Sequence, residues 1–563
     1  MKPTTRVVMA LIFFCLVSPL LAQDNVDLSV IHQIKQEAFK NSKVMDHLFF
    51  LADVHGPRLT GSPGLRAAAD WALQRLHDYG LENTRLEKWG PFGRGWSCTH
   101  FSVQLLEPGY SPLIGIPLAW SPSTRGPVSG ELMMAPIYRK PRTPKQLEEE
   151  LQKFIEKYRG KLKEKMVMIS ETKQPELAST ATSKRLTDAE LGAVATAVEP
   201  SLAPPYDPAK LEIPEDPKQR QWFFENAPLW VSEVLTKEYR RSISKMNQFL
   251  REEGVLAVIA SDERGDGGTV FGEMAGSWDP KEPMPPPSIV LTVEHYNRIA
   301  RLVEKKISVR VEVDLQTKFH DGAANIFNVI AEMPGGKKKD EIVMLGAHLD
   351  SWTGGTGATD NAVGCAVIME AVRILQSVGF KLDRTVRLAL WSGEEQGLLG
   401  SKAYVKEHFS DPETMNLKPE HGKLAGYFNV DNGSGKIRGV YLQSNDTARP
   451  IFEAWLAPFK DMGVSTISIR DTGGTDHQSY DQVGLPGFQF IQDPLEYSTR
   501  THHSNMDLYD HAQAGDLMQA SAVLASVIYH AAMRDQMMPR KPLPKAIPKR
   551  EEKRPEKEPG SNR

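Results

Sequence analysis

The chain has 563 residues, with 68 Lys and Arg against 71 Asp and Glu, a net charge of −3, 40% hydrophobic and 25% charged residues. At about 100–200 residues per domain this length builds more than one globular unit, and the ordinary composition excludes a wholly disordered, collagen-like or multi-span membrane chain. A nucleic-acid partner would favour a strongly basic domain, which this charge balance does not supply.

The first 22 residues read as a secretory signal peptide. Lys2 and Arg6 precede the apolar run Val7 to Val17, and Ser18-Pro19-Leu20-Leu21-Ala22 ends on a small residue, so cleavage is expected before Gln23. The run falls short of the ~20 residues that span a bilayer, so no permanent membrane anchor is expected. Phe13 and Phe14 are too bulky for a lipoprotein site at Cys15. The mature chain is expected to be exported, to the periplasm or the medium.

Residues 42–79 predict a helical pair broken at His55-Gly56-Pro57-Arg58 and restarted at Ser62-Pro63-Gly64. Alternating runs such as Phe101 to Leu105 predict strands. From about residue 115 to 310 the character changes. Lys165 to Ile169 and Val255 to Ile259 read as short buried strands, separated by a polar, Pro-bearing stretch with little periodicity. This region is expected to be a separate α/β unit with an irregular insertion.

From Ile342 apolar runs alternate with helical periods: Ile342 to Leu345, Ala362 to Leu375, Val386 to Leu390 and Leu398 to Lys406. That rhythm predicts a mostly parallel mixed sheet with helices on both faces, an α/β fold. Ligands of such sheets bind outside the carboxyl ends of the strands. Arg540 to Arg563 holds nine basic and four acidic residues and five prolines, too little apolar surface to offset ordering entropy, and reads as a disordered tail. Beyond the signal peptide only Cys98 and Cys365 remain. They are read as two free thiols, since one possible pair is no disulfide framework.

The apolar strands of the C-terminal half end in residues that can hold a metal. They lead into His348-Leu349-Asp350, Glu394-Glu395, Asp431 and His502-His503, and Asp360 heads a helix after a glycine-rich loop. Singly each has a dull reading: a helix N-cap for Asp360, turn chemistry for Asp431, solvated charge for the glutamate pair. Their joint fall at strand ends argues otherwise. Zinc takes imidazole nitrogen and carboxylate oxygen, and two zinc ions can share a carboxylate. Five ligands in the order His, Asp, Glu, Asp, His suffice if Asp360 bridges. Asp350 can accept the other ring N–H of His348 and fix its tautomer. One glutamate of the pair can ligate while its neighbour acts as general base.

These motifs resemble the co-catalytic zinc aminopeptidase family, which includes bacterial leucyl aminopeptidases, plasma glutamate carboxypeptidase and the peptidase-like part of transferrin receptor. The resemblance rests on His348-Leu349-Asp350, Gly357-Ala358-Thr359-Asp360-Asn361, Ser392 to Ser401, Asn429-Val430-Asp431, Gly474 to His477 and His503 to Asp507. It covers about residues 42–120 and 310–535. The intervening stretch is similar to the protease-associated domain inserted in such enzymes. The resemblance implies a signal peptide at 1–22, peptidase segments at 23–119 and 311–538, an insertion at 120–310 and a tail at 539–563. It places His348 and Asp431 on one zinc, Glu395 and His503 on the other, Asp360 between them, and Glu394 as base. His503 is preferred to His502 because only it keeps the His-Ser/Thr-x-x-Asp register with Asp507. Leu508 stands where the family usually has Thr. His477 falls where relatives contact the substrate carbonyl.

The implied activity is that of an exported zinc exopeptidase acting on peptides, an aminopeptidase first, with a carboxypeptidase or dipeptidase as the alternative. The insertion is expected to give no metal ligand and to narrow the cleft. Aminoacylase-like enzymes are set aside, because only 108 residues separate Glu395 from His503, and these include Asp431. A non-catalytic binding protein on this scaffold would not need all six positions, and a glutaminyl cyclase lacks the insertion.

Overall fold

The computed structural model describes residues 24–546, apart from residues 25, 138–142, 176–178, 199, 201–211, 217–218, 221–222, 224–228 and 322–325. The signal-peptide region and most of the expected tail lie outside the described residues.

Two eight-stranded mixed sheets organise the chain. The first has a parallel centre: Lys338–His348 lies between Arg384–Trp391 and Leu424–Asn429, with Gly487–Gln492 next to the latter. Antiparallel partners, Phe327–Met333 on one side and Ile437–Tyr441 on the other, extend it. Alternation along the strands splits their side chains between two cores. Val343, Leu345 and Ala347 join the core formed with Val363–Val378 and Ala514–Met533. Ile342 and Met344 join the core formed with Leu399–His408 and His477–Asp481. Helices therefore cover both faces, as expected. The helix Val363–Val378 is buried on every side from Val363 to Leu375 and mostly apolar, its Glu370 and Arg373 paired with each other at 2.8 Å, and Gly379 ends it at φ +75°.

The second sheet carries a parallel run, Val128–Met134, Lys165–Met168, Ala257–Ala260 and Ser288–Leu291. It also takes in Gly95–Glu107 and Arg310–His320, which pair with each other over almost their whole length. The expected limits at 120 and 310 therefore cut through this sheet. Alternation marks a strand without saying which sheet it joins, so the sequence could not place that long antiparallel pair. The tail also needs correction at its start. Met538 N donates to the Ala425 carbonyl, Arg540 Nη2 to those of His421 and Leu424, and Lys541 lies 2.6 Å from Asp481. These polar contacts anchor residues whose composition alone reads as unstructured.

Candidate metal centre

Register brings the site together. Parallel pairing sets His348 opposite Trp391 and Gly346 opposite Asn429. Glu394 and Asp431 therefore emerge just beyond strands that end level with His348. Gly357, at φ +70°, turns the chain toward Asp360, and a Cβ there would lie 2.4 Å from Ser351 Oγ. The Asp360–Asn361 peptide that follows is cis.

His348 Nε2 lies 3.2 Å from Asp360 Oδ1, 3.6 Å from Asp431 Oδ2 and 4.0 Å from Glu394 Oε2. His503 Nε2 lies 3.1 Å from Glu395 Oε2 and 3.3 Å from Asp360 Oδ2. Asp360 thus faces both imidazoles, one with each oxygen. His502 Nε2 stands farther back, 3.7 Å from Asp360 Oδ2, with its ring stacked on Tyr497.

The site is buried and crowded with negative charge. Burial pushes the Glu394 carboxyl well up, and Asp431, Asp476 and Glu395 push it further against the opposing pull of His348. Glu395 is pushed up to about 8 by burial and by Asp360. Burial alone would lower the pKa of His348, but Asp431 and Glu394 raise it well above the ordinary imidazole value. Glu395 Oε1 and Asp360 Oδ2 are buried and accept no hydrogen bond. Buried carboxylates without donors call for a cation. The ligand atoms of His348, Asp360 and Asp431 lie within 4.8 Å of one another, as do those of Asp360, His502 and His503. Imidazole and carboxylate donors without sulfur fit zinc. The buried thiol of Cys365 donates to the His348 carbonyl, and Cys98 and Cys365 are both free.

Asp350 acts differently from the sequence expectation. His348 Nδ1 bonds the backbone carbonyl of Asp350 at 3.0 Å, and the carboxylate is 3.7 Å away. The carboxylate is occupied elsewhere: Thr60 Oγ1 and the backbone N–H groups of Glu394 and Glu395 donate to it at 2.9, 3.2 and 3.2 Å. It shapes the glutamate turn. His477 is also corrected. It is 0% exposed, its Nε2 bonds the Thr472 carbonyl at 2.9 Å, and burial depresses it to about 4. A side chain so enclosed does not meet a substrate. Its neighbour Asp476 faces the centre instead, pushed up to about 7 first by burial, with His348 drawing it down and Asp431 adding to the rise.

Three contributors were given no role at the site by the sequence reading. Arg58, fully buried, donates to the carbonyls of Leu349, Leu51, Thr356 and Gly357 at 2.6–2.8 Å, tying together the loops that carry His348 and Asp360. Its motif was visible, but not its bonds. Asp507 accepts from Thr359 N and Oγ1 at 2.6 and 2.8 Å, while Thr359 Oγ1 also meets Thr501 Oγ1 at 2.7 Å. Glu273, from the second-sheet unit, bonds His503 Nδ1 at 2.7 Å. No motif marks it.

A parallel-centred sheet with helices on both faces, ending in a buried carboxylate–imidazole centre, is a zinc-peptidase scaffold. Residues 328–528 match the Peptidase family M28 model. Over 254 residues the chain is 30% identical to Carboxypeptidase Q of Bos taurus, a match covering 45% of this chain and 51% of that one. The chain thus spans about half the length of the curated relatives it matches. Its fold is similar to that of a Peptidase M28 precursor from Shewanella amazonensis, with TM-score 0.60 and 24% identity over 92% of this chain and 98% of that one. It is also similar to a zinc aminopeptidase from Bacillus subtilis, with TM-score 0.52 and 16% identity over 88% of this chain and 96% of that one.

Proposed function

We propose that the chain is an exported zinc-dependent exopeptidase that hydrolyses terminal peptide bonds, in the first reading from the amino terminus. The observation that carries this is Asp360, which faces His348 with one oxygen and His503 with the other. His348 and Asp431 would hold one zinc ion, Glu395 and His503 the second, and Asp360 would be shared. Bound zinc supplies Lewis acidity, polarising a carbonyl and acidifying water.

Glu394 is the general base. Its carboxylate is buried and stands 4.0 Å from His348 Nε2, where it can take a proton from the attacking water and return it to the leaving amine. Asp350, bound to two successive N–H groups of the turn, fixes the direction in which Glu394 and Glu395 point. The similarity to Carboxypeptidase Q supports the second reading, a carboxypeptidase or dipeptidase. Export, action on peptides, and the lack of a nucleic-acid partner or permanent anchor belong to the same proposal.

The test is a peptide library with each terminus free or blocked, combined with zinc analysis of the purified protein. Two zinc ions per chain, loss of activity to a chelator, and loss on blocking the amino terminus are expected. Loss only on blocking the carboxyl terminus would establish the second reading, and full activity with one ion or none would overturn the paired centre.

A further inference from the structure

His503 is held from two parts of the chain at once. It sits in the left-handed region, φ +63°, an unfavourable conformation for a residue with a Cβ unless its surroundings hold it there. The segment that does so comes from the second-sheet unit. Gly272 N donates to the His503 carbonyl at 3.0 Å, Val270 N donates to Asn505 Oδ1 at 2.7 Å, and Asn505 N donates to the Val270 carbonyl at 3.0 Å. Arg500 Nη1 reaches back to Thr269 Oγ1 at 2.6 Å. This is a short strip of backbone pairing, with Phe271 bridged to Ser504.

At the end of that strip Glu273 Oε1 meets His503 Nδ1 at 2.7 Å, while Nε2 on the opposite ring edge faces Glu395 and Asp360. The ring stands between Glu273 and those carboxylates, so Glu273 cannot share an ion with them through His503. It can fix the ring. A carboxylate accepting from Nδ1–H leaves the lone pair on Nε2, locks the ring plane and raises the basicity of the ligating nitrogen. Nothing within 328–528 serves this end of the ring, whereas His348 takes its Nδ1 partner from its own strand end, the Asp350 carbonyl.

We infer that Glu273 is the positioning residue of the His503 metal position, which is therefore complete only when the segment around 269–273 is docked on 500–505. This rests on the reading of Asp360, Glu395 and His503 as metal ligands. It also revises the expectation for the insertion, which would supply no ligand yet orient one.

The experiment strips the full-length protein of metal and titrates it with Zn²⁺ alone against a competing chelator, for the parent chain and for Glu273→Ala, Glu273→Gln and Glu273→Asp. Removing such an outer carboxylate typically weakens binding ~10–100-fold. About tenfold is expected here, because the Glu273 side chain is 44% exposed and partly screened by solvent. The loss should fall on one of two equivalents in Glu273→Ala. It should be smaller in Glu273→Gln, which keeps an acceptor without the charge, and partly restored in Glu273→Asp, with the unfolding temperature of the stripped protein lowered by no more than the loss of one partly exposed ion pair. Equal affinities at both positions in Glu273→Ala would overturn the inference while leaving the paired centre intact. An equal loss at both positions with a lowered unfolding temperature would show a merely structural residue and overturn it as well. Fewer than two equivalents in the parent chain would overturn the centre itself, and the inference with it.

Discussion

His348 and Asp431 stand just beyond neighbouring parallel strands, 1% and 2% exposed, in positions dictated by the pairing register of the sheet. Glu395 and His503 hang instead from a turn and a loop, braced by Asp350, Glu273 and a strip of backbone from the second sheet. One half of the centre comes with the core, and its geometry costs nothing beyond folding. The other half is assembled from connections, so it is the half that substitutions outside the sheet can adjust. Asp360 joins the two and is exposed to the fate of both.

Glu394→Gln should have the largest effect, because the proposed general base would serve both halves. It should lower turnover ~10²–10⁴-fold with two zinc ions retained, whereas Glu395→Gln should lose one ion on dialysis. Metal analysis beside steady-state kinetics checks both, and loss of zinc from Glu394→Gln with retention in Glu395→Gln would exchange the two assignments.

Arg58→Leu probes the half that rests on the fold. It strands four buried carbonyls, and a loss of about 3–5 kcal/mol is expected. Denaturant unfolding measures it. A loss under about 1 kcal/mol would mean that other donors or water satisfy those groups.

A smaller effect concerns pH. In protein without metal, Glu395 is pushed up to about 8 and Asp507 to about 7, both by burial and then by Asp360, and His348 and His503 are raised by the carboxylates around them. Each of these groups binds protons more tightly folded than unfolded. Their stabilisation is therefore full below the unfolded pKa values and is lost as pH rises through the folded ones. The unfolding temperature of stripped protein should fall from pH ~7 to ~9, above the range in which the depressed His47, His477 and His502 gain stability, and zinc should flatten the decline. A stripped protein that gained stability over this range would contradict the charge arrangement.

His477→Gln should do least. Its ring is enclosed and bonded to Thr472, so kcat/KM should stay within about twofold. A tenfold fall would restore the substrate role suggested by the motif.

The sequence legibility of the two halves differs for the same reason that their construction does. His348, Glu394 and Asp431 follow apolar strands, and a strand with a polar residue at its end is a pattern that periodicity reveals. The apolar run Ile342 to Leu345, alternating with helical periods after it, likewise announced helices on both faces. Glu273 follows no period, and its partner lies 230 residues away. Asp350 could be singled out but not understood, because its role depends on the Thr60 hydroxyl, 290 residues away. The Gly95–Glu107 strand was visible as a strand, while its sheet depended on a partner past residue 310.

The Thr60–Asp350–Glu394 connection also has a consequence in time. The turn that aims the glutamates is fastened to a residue near the start of the chain, and His503 lies close to its end. A ribosome releases the chain from the amino terminus. Thr60 must therefore wait through most of synthesis before the carboxylate it steadies exists, and the centre stays incomplete until His503 is out. Such an order separates manufacture from activity without any additional inhibitor, because a chain that stops before His503 lacks a residue of the centre.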